Sequence, residues 1–196
     1  MILSDRDIFE LLKSGDLKIE SDAQYDINEQ VHASSVDMRL GRIFKVYKHS
    51  RVTILDPNHL PNGDLVDTIE LDAEQAFIVQ PGEFVLGVKM EKVKISNNVV
   101  ARVEGRSSLG RLGLLIHATA GFVDAGFEGT ITLEISNVNR LPIAIYPGQR
   151  ICQLAFEEMK SPALVPYGDK KCSKYQGQVL PEESRVFMDP EFKKKA

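Results

Sequence analysis

The sequence predicts a mainly β protein, a sandwich or barrel, with a short N-terminal helix and few other helices. Three observations predict it. Short apolar or alternating runs recur along most of the chain, turn-forming residues punctuate them, and helical spacing of apolar residues shows only at the start. The chain has 196 residues with 43% hydrophobic content, enough for one domain with a sizeable core. No internal repeat or low-complexity linker divides it, so residues 1–196 read as a single domain.

Ser4 is a suitable N-cap, with Asp7 three residues on as a short capping box. Ile8, Leu11 and Leu12 follow at helical spacing, and Gly15 is the expected stop. Strand-like runs then follow at 36–40, 44–47, 77–79, 84–88, 99–103, 130–135, 143–146 and 151–156. The turns are Asp56-Pro57, Pro61-Asn62-Gly63, Pro81-Gly82, Asn97-Asn98 and Pro147-Gly148. From about Ser161 the character changes. Pro162, Pro166, Gly168, Gly177 and Pro181 break regular structure, and Lys170, Lys171 and Lys174 add positive charge. Residues 161–196 read either as a disordered terminus or as an arm that closes over a ligand, for which Tyr167, Lys174, Tyr175 and Gln178 offer suitable groups.

Net charge is −4, which argues against a protein that coats nucleic acid, because backbone binding wants a basic face. A small anionic ligand needs only a few local cations. No apolar run approaches a membrane span, and the opening lacks the layout of a signal peptide. Cys152 and Cys172 are too few for a disulfide scaffold, so a reduced, cytoplasmic protein is expected. No zinc-ligand cluster, Walker loop or dinucleotide fingerprint occurs.

Reactive residues concentrate at 105–134, GRSSLGRLGLLIHATAGFVDAGFEGTITLE. Arg106, Ser107, Ser108 and Arg111 offer hydroxyls and two guanidiniums for a phosphate, unless both arginines lie on a solvated face. Gly121 and Gly126 frame Phe122, Val123 and Asp124. Asp124 either activates a water or faces a sugar hydroxyl, or it is a turn aspartate bonding its own backbone. Alternation over 130–135 puts Ile131, Leu133 and Ile135 on one strand face and Thr130, Thr132 and Glu134 on the other. Glu134 then sits in water, or in a cleft where desolvation suits it to proton transfer. His117 closes an apolar run, where a lone histidine is more often packed than catalytic.

Taken together, residues 105–134, Leu141-Pro142, Pro147-Gly148 and the tail from Ser161-Pro162 through Tyr167 to Ser173-Lys174-Tyr175-Gln176-Gly177-Gln178 resemble the dCTP deaminases, which share a superfamily with the trimeric dUTPases. The opening MILSDRDI resembles the start of those enzymes, while 42–75 carries little of the likeness. The resemblance implies a distorted β-barrel or jelly-roll-like fold and a homotrimer with active sites between subunits. It also implies zinc-free hydrolytic removal of the cytosine amino group from a substrate carrying Mg²⁺ on its triphosphate, without nucleic-acid or membrane partners.

By that match Glu134 is the catalytic proton carrier, Ser107 and the Ala120 carbonyl position the water, and Arg111 orders the network. Arg106, Ser108, Lys174 and Gln178 match triphosphate contacts, Tyr167 belongs to the closing tail, and Gly121, Phe122 and Val123 shape the substrate pocket. Members that stop at dUTP carry a bulky residue and an arginine after the Thr-Ala pair. Here Gly121 and Phe122 follow Thr119-Ala120, as in members that also cleave the α–β phosphate bond and release dUMP and diphosphate. Asp124 matches the dUTPase aspartate that activates water, although members that stop at dUTP keep it too. The glycine-rich C-terminal motif of the dUTPases is absent. The alternatives are a deaminase that releases dUTP and a non-catalytic nucleotide-binding module.

Overall fold

The structure, a computed structural model, describes residues 1–21, 25–48, 54–59, 65–117 and 119–192. Helix Asp5–Ser14 forms where the sequence predicts it. Ser4 stays extended, its main-chain N–H donates to the Asp7 carboxylate at 2.8 Å, and its hydroxyl accepts from the Asp7 N–H at 3.4 Å. Two otherwise orphaned donors are thereby satisfied. The helix stops at Gly15, whose left-handed conformation (φ 84°) returns its N–H to the Leu11 carbonyl. Ile8 is fully buried, so this turn anchors the N-terminus to the core. Ser4→Ala is expected to cost about 1 kcal/mol, read as a lower urea midpoint at fixed protein concentration.

Every named strand pairs antiparallel. One five-stranded sheet runs in the order Phe122–Val123, Val99–Gly105, Arg150–Glu158, Ser35–Arg39, Val31–His32. A second runs Leu114–Leu115, Thr132–Asn137, Phe84–Val88, Ile43–Tyr47, Val66–Glu70. Leu17–Glu20, Lys92–Ile95 and Glu128–Gly129 form a three-stranded sheet, and Ile143–Ile145 pairs with Phe77–Val79. Inward side chains of all four sheets, Phe44, Phe77, Ile95, Leu133, Ile145 and Phe156 among them, meet in one core. Phe44 and Phe77 stack at 4.5 Å in it. The fold is mainly β, as the sequence predicts.

The runs 77–79 and 84–88 coincide with strands, and the other predicted runs shift by one or two residues at their ends. The run at 130–135 needs the largest correction. Its strand is Thr132–Asn137, with Leu133, Ile135 and Asn137 buried and the alternate residues half-buried. Thr130 is buried rather than facing outward, because its N–H and hydroxyl both donate to the Gln178 carbonyl, at 2.8 and 3.1 Å. Ile131 is only half-buried but still packs against the core. Strands Leu17–Glu20, Val66–Glu70 and Lys92–Ile95 are additional to the predicted runs. The Pro61-Asn62-Gly63 turn lies outside the described residues.

Among the described residues no helix is long and apolar enough to cross a membrane.

Candidate active site

A cavity of about 470 Å³ opens between the second sheet, the segment 117–127 and the C-terminal arm. That size suits a small-molecule ligand. Strand Thr132–Asn137 supplies its floor. Alternation sends Leu133 and Ile135 into the core, so Thr132 and Glu134 must face the other way, into the cavity. Glu134 lies opposite Leu86 of the neighbouring strand, itself a wall residue. The Thr119 hydroxyl donates to Glu134 Oε2 at 2.7 Å. One carboxylate oxygen is thus fixed, and Oε1 has no partner among the described residues.

The segment 120–124 forms a second wall. Gly121 is held against strand Val99–Gly105, where its carbonyl accepts the Val103 N–H at 2.7 Å. A Cβ there would sit 2.9 Å from the Val103 carbonyl oxygen, so a side chain would push the whole wall outward. Phe122 and Val123 pair with Arg102 and Ala101. Val123 is buried, whereas Phe122 is exposed, with the Arg102 guanidinium 5.4 Å from its ring centre. Asp124 closes its turn through the main chain alone, its carbonyl accepting from Phe127 N–H at 3.2 Å. Its carboxylate has no partner among the described residues and lines the cavity. The turn-aspartate alternative, a side chain spent on its own backbone, is therefore not what the chain does.

The arm forms the remaining wall. The Tyr167 ring packs 5.8 Å from Phe127, and its hydroxyl accepts the Tyr175 N–H at 3.1 Å. Gln178 is buried, and its side-chain amide donates to the Thr130 carbonyl at 3.2 Å and to Thr132 Oγ1 at 2.6 Å. Its donors are committed to holding the arm on the barrel. Further along, Glu182 N–H donates to Thr132 Oγ1 at 3.1 Å and Lys45 pairs with Glu183 at 2.6 Å. Tyr47 completes the wall. Burial first, and then the charges of Glu183, Tyr175 and Glu134, push its phenol above the ordinary value, so it remains a neutral hydrogen-bonding group at neutral pH.

The structure thus brings together Glu134, Ala120, Phe122, Val123, Asp124, Tyr167 and Gln178, with Gly121 backing them. It does not bring the rest. Arg106 precedes a single helical turn, Ser107–Gly110, and neither it nor Ser107, Ser108 or Arg111 lines the cavity. Ser107, Ser108 and Arg111 are exposed, with side chains unpartnered among the described residues. Lys174 is also absent from the lining, and its ammonium is paired with Asp189. Sequence reasoning missed Tyr47, Glu182 and Ser184 on the wall and the Thr119 anchor, whereas Thr132 stands on the polar strand face that alternation predicts. No periodic pattern marks the missed residues, because they come from three separate segments. His117 is packed as expected, with both ring nitrogens buried and unpartnered among the described residues, and the residue also borders the cavity.

The mainly β scaffold sets three carboxylates, of Asp124, Glu134 and Glu182, and three tyrosines around a cavity of small-molecule size, an arrangement suited to hydrolysis of a small ligand. The dCTP deaminase-like family profile matches residues 2–159, and the chain belongs to that family. A protein of Methanobrevibacter smithii named dCTP deaminase, dUMP-forming, is 51% identical over 195 residues, 98% of this chain and 99% of that one. A Dictyoglomus thermophilum protein of the same name is 50% identical over 96% of both chains. A crystal structure of 2'-deoxycytidine 5'-triphosphate deaminase from Agrobacterium tumefaciens superposes with a TM-score of 0.60 at 26% identity, covering 80% of this chain and 48% of that chain.

Proposed function

We propose that the chain converts dCTP to dUMP, ammonia and diphosphate, consuming two waters. One observation carries this reading: the anchored carboxylate of Glu134 and the free carboxylate of Asp124 line the same cavity. The first water adds to C4 of the cytosine. Glu134 takes one proton from it through the free Oε1 and delivers it to N3. It then moves the remaining hydroxyl proton to the amino group, which leaves as ammonia as the C4 carbonyl of uracil forms. The Ala120 carbonyl and Ser107 orient that water, and Arg111 orders the hydrogen bonds around it. The second water, activated by Asp124, attacks the α-phosphorus and releases diphosphate. Relatives near half identity that carry the dUMP-forming name support the coupled reaction.

The arrangement also supports a homotrimer. The cationic corner at 106–111 follows the strand Val99–Gly105 of the first sheet, whereas Glu134 stands on the second. In the proposed assembly that corner of one subunit completes the cavity of the next, bringing Arg106, Ser107, Ser108 and Arg111 to the triphosphate. Residues 161–192 then act as the arm over the site, and Lys174 exchanges Asp189 for phosphate as the arm closes. The reaction belongs to the cytoplasm, where nucleotides are made.

Magnesium fits as an ion carried in by the triphosphate. Among the described residues no three His, Cys, Asp or Glu converge on one point. Mg²⁺ keeps several waters and takes phosphate oxygens with one or two carboxylates, and Asp124 offers one such carboxylate. Bound there, it would neutralise charge on the phosphate chain.

Incubation of the purified protein with dCTP and Mg²⁺, resolved by chromatography, is expected to yield dUMP with little free dUTP. Accumulation of dUTP as the end product would leave a deaminase alone. Tight nucleotide binding with no ammonia released would point instead to a non-catalytic module.

A further inference from the structure

Asp37 is almost fully buried, yet three cationic or basic side chains converge on one of its oxygens. Its side chain is 2% exposed, and Oδ2 lies 3.0 Å from His32 Nε2, 3.2 Å from a terminal guanidinium nitrogen of Arg106 and 3.5 Å from one of Arg150. The other terminal nitrogen of Arg106 donates to the Arg150 carbonyl at 3.2 Å. Adjacent strands of one sheet create this meeting. Asp37 faces Gln153 of Arg150–Glu158, and Arg106 directly follows Val99–Gly105 on the other side of that strand.

A buried carboxylate has to be paired, and here it is paired to excess. Arginine does not lose its proton, so two permanent positive charges share one negative charge. The corner therefore keeps a net positive field. The side chains of Arg106 and Arg150 remain 27% and 43% exposed. Asp37 holds one terminal nitrogen of each guanidinium, and both side chains stay partly open to solvent. Fixing a long side chain before a ligand arrives removes the entropy that binding would otherwise lose.

We propose that Asp37 is a positioning residue for phosphate recognition. It sets Arg106 and Arg150 side by side as a clamp, which makes Arg150 a phosphate contact in its own right. The carboxylate itself touches no substrate. This rests on the reading of Arg106 as a triphosphate contact.

Steady-state kinetics on dCTP with Mg²⁺ test it, using Asp37→Asn, Arg106→Ala, the double variant and Arg150→Gln, each checked for native circular dichroism. Asp37→Asn is expected to raise KM about tenfold with kcat held within about threefold, since charge-assisted contacts to the phosphates weaken while the chemistry is untouched. The double variant should lose less than the sum of the single losses, because both act through one guanidinium. Arg150→Gln should raise KM severalfold. A wild-type KM in folded Asp37→Asn, strictly additive losses, or a fall confined to kcat overturns the proposal. If Asp37→Asn does not fold, Arg150→Gln decides: a wild-type KM there rejects the clamp. A wild-type KM in Arg106→Ala is a different failure, that of the phosphate-contact reading beneath it.

Discussion

Glu134→Gln is expected to lower the rate of ammonia release from dCTP by about a hundred- to ten-thousandfold, the usual share of general acid–base catalysis. The substitution keeps side-chain length and volume. Its amide oxygen can still accept the Thr119 hydroxyl that holds Glu134 Oε2 at 2.7 Å, so the cavity floor should survive. What disappears is the ability to take a proton at Oε1 and return it to N3. Binding of dCTP should therefore change little while turnover collapses, a split that a folding defect would not give. An ammonia assay with a parallel binding titration checks both halves. Full deaminase activity in the variant would remove Glu134 from the reaction.

Asp124→Asn should separate the two hydrolyses. The turn at this residue is closed by the main chain, and the carboxylate has no partner among the described residues. The fold thus loses nothing by the change. The second water, however, loses its activating carboxylate, while Glu134 and its Thr119 anchor remain. Ammonia should still appear and dUTP should accumulate where the unaltered protein gives dUMP. Chromatography of the nucleotides reads the ratio directly. Unchanged dUMP formation would assign the phosphate step to another group, with Glu182 the nearest alternative on the cavity wall.

Much of the scaffold is legible from periodicity. The runs 77–79 and 84–88 are short, apolar and bounded by turns, and they are strands for that reason. Leu17–Glu20 and Lys92–Ile95 carry charge on every second residue, and they are held both by burial of Leu17, Val93 and Ile95 in the core and by each other, with Glu20 set opposite Lys92. Such pairing is invisible until both strands are placed. Val66–Glu70 is a largely exposed edge strand, so it lacks the apolar signal that marks a buried one. The strand holding Glu134 is shorter at its start than alternation predicts. Gln178, forty-odd residues downstream, claims Thr130 by hydrogen bonds that no local pattern announces.

The same division runs through the site. Residue types and their order marked the family once 105–134 was joined with Leu141-Pro142, Pro147-Gly148 and the tail from Ser161. Within 105–134 they marked the two carboxylates, and Gly121 as a place for close backbone approach or a turn. Local sequence carries these because each depends on a side chain's chemistry or on the lack of one. That Gly121 lies against Val103 came from the fold. Sequence contiguity nevertheless misleads about proximity. The strand Val99–Gly105 and the strand Thr132–Asn137 belong to different sheets, and the arginine corner is carried away from the carboxylates although both lie in one stretch of chain. Only the tertiary structure decided that Thr119 fixes Glu134, that Asp124 keeps its carboxylate free and that Asp37 gathers two arginines. Those are contacts between segments brought together by sheet pairing and core burial, and their geometry exists only once the strands have found their register.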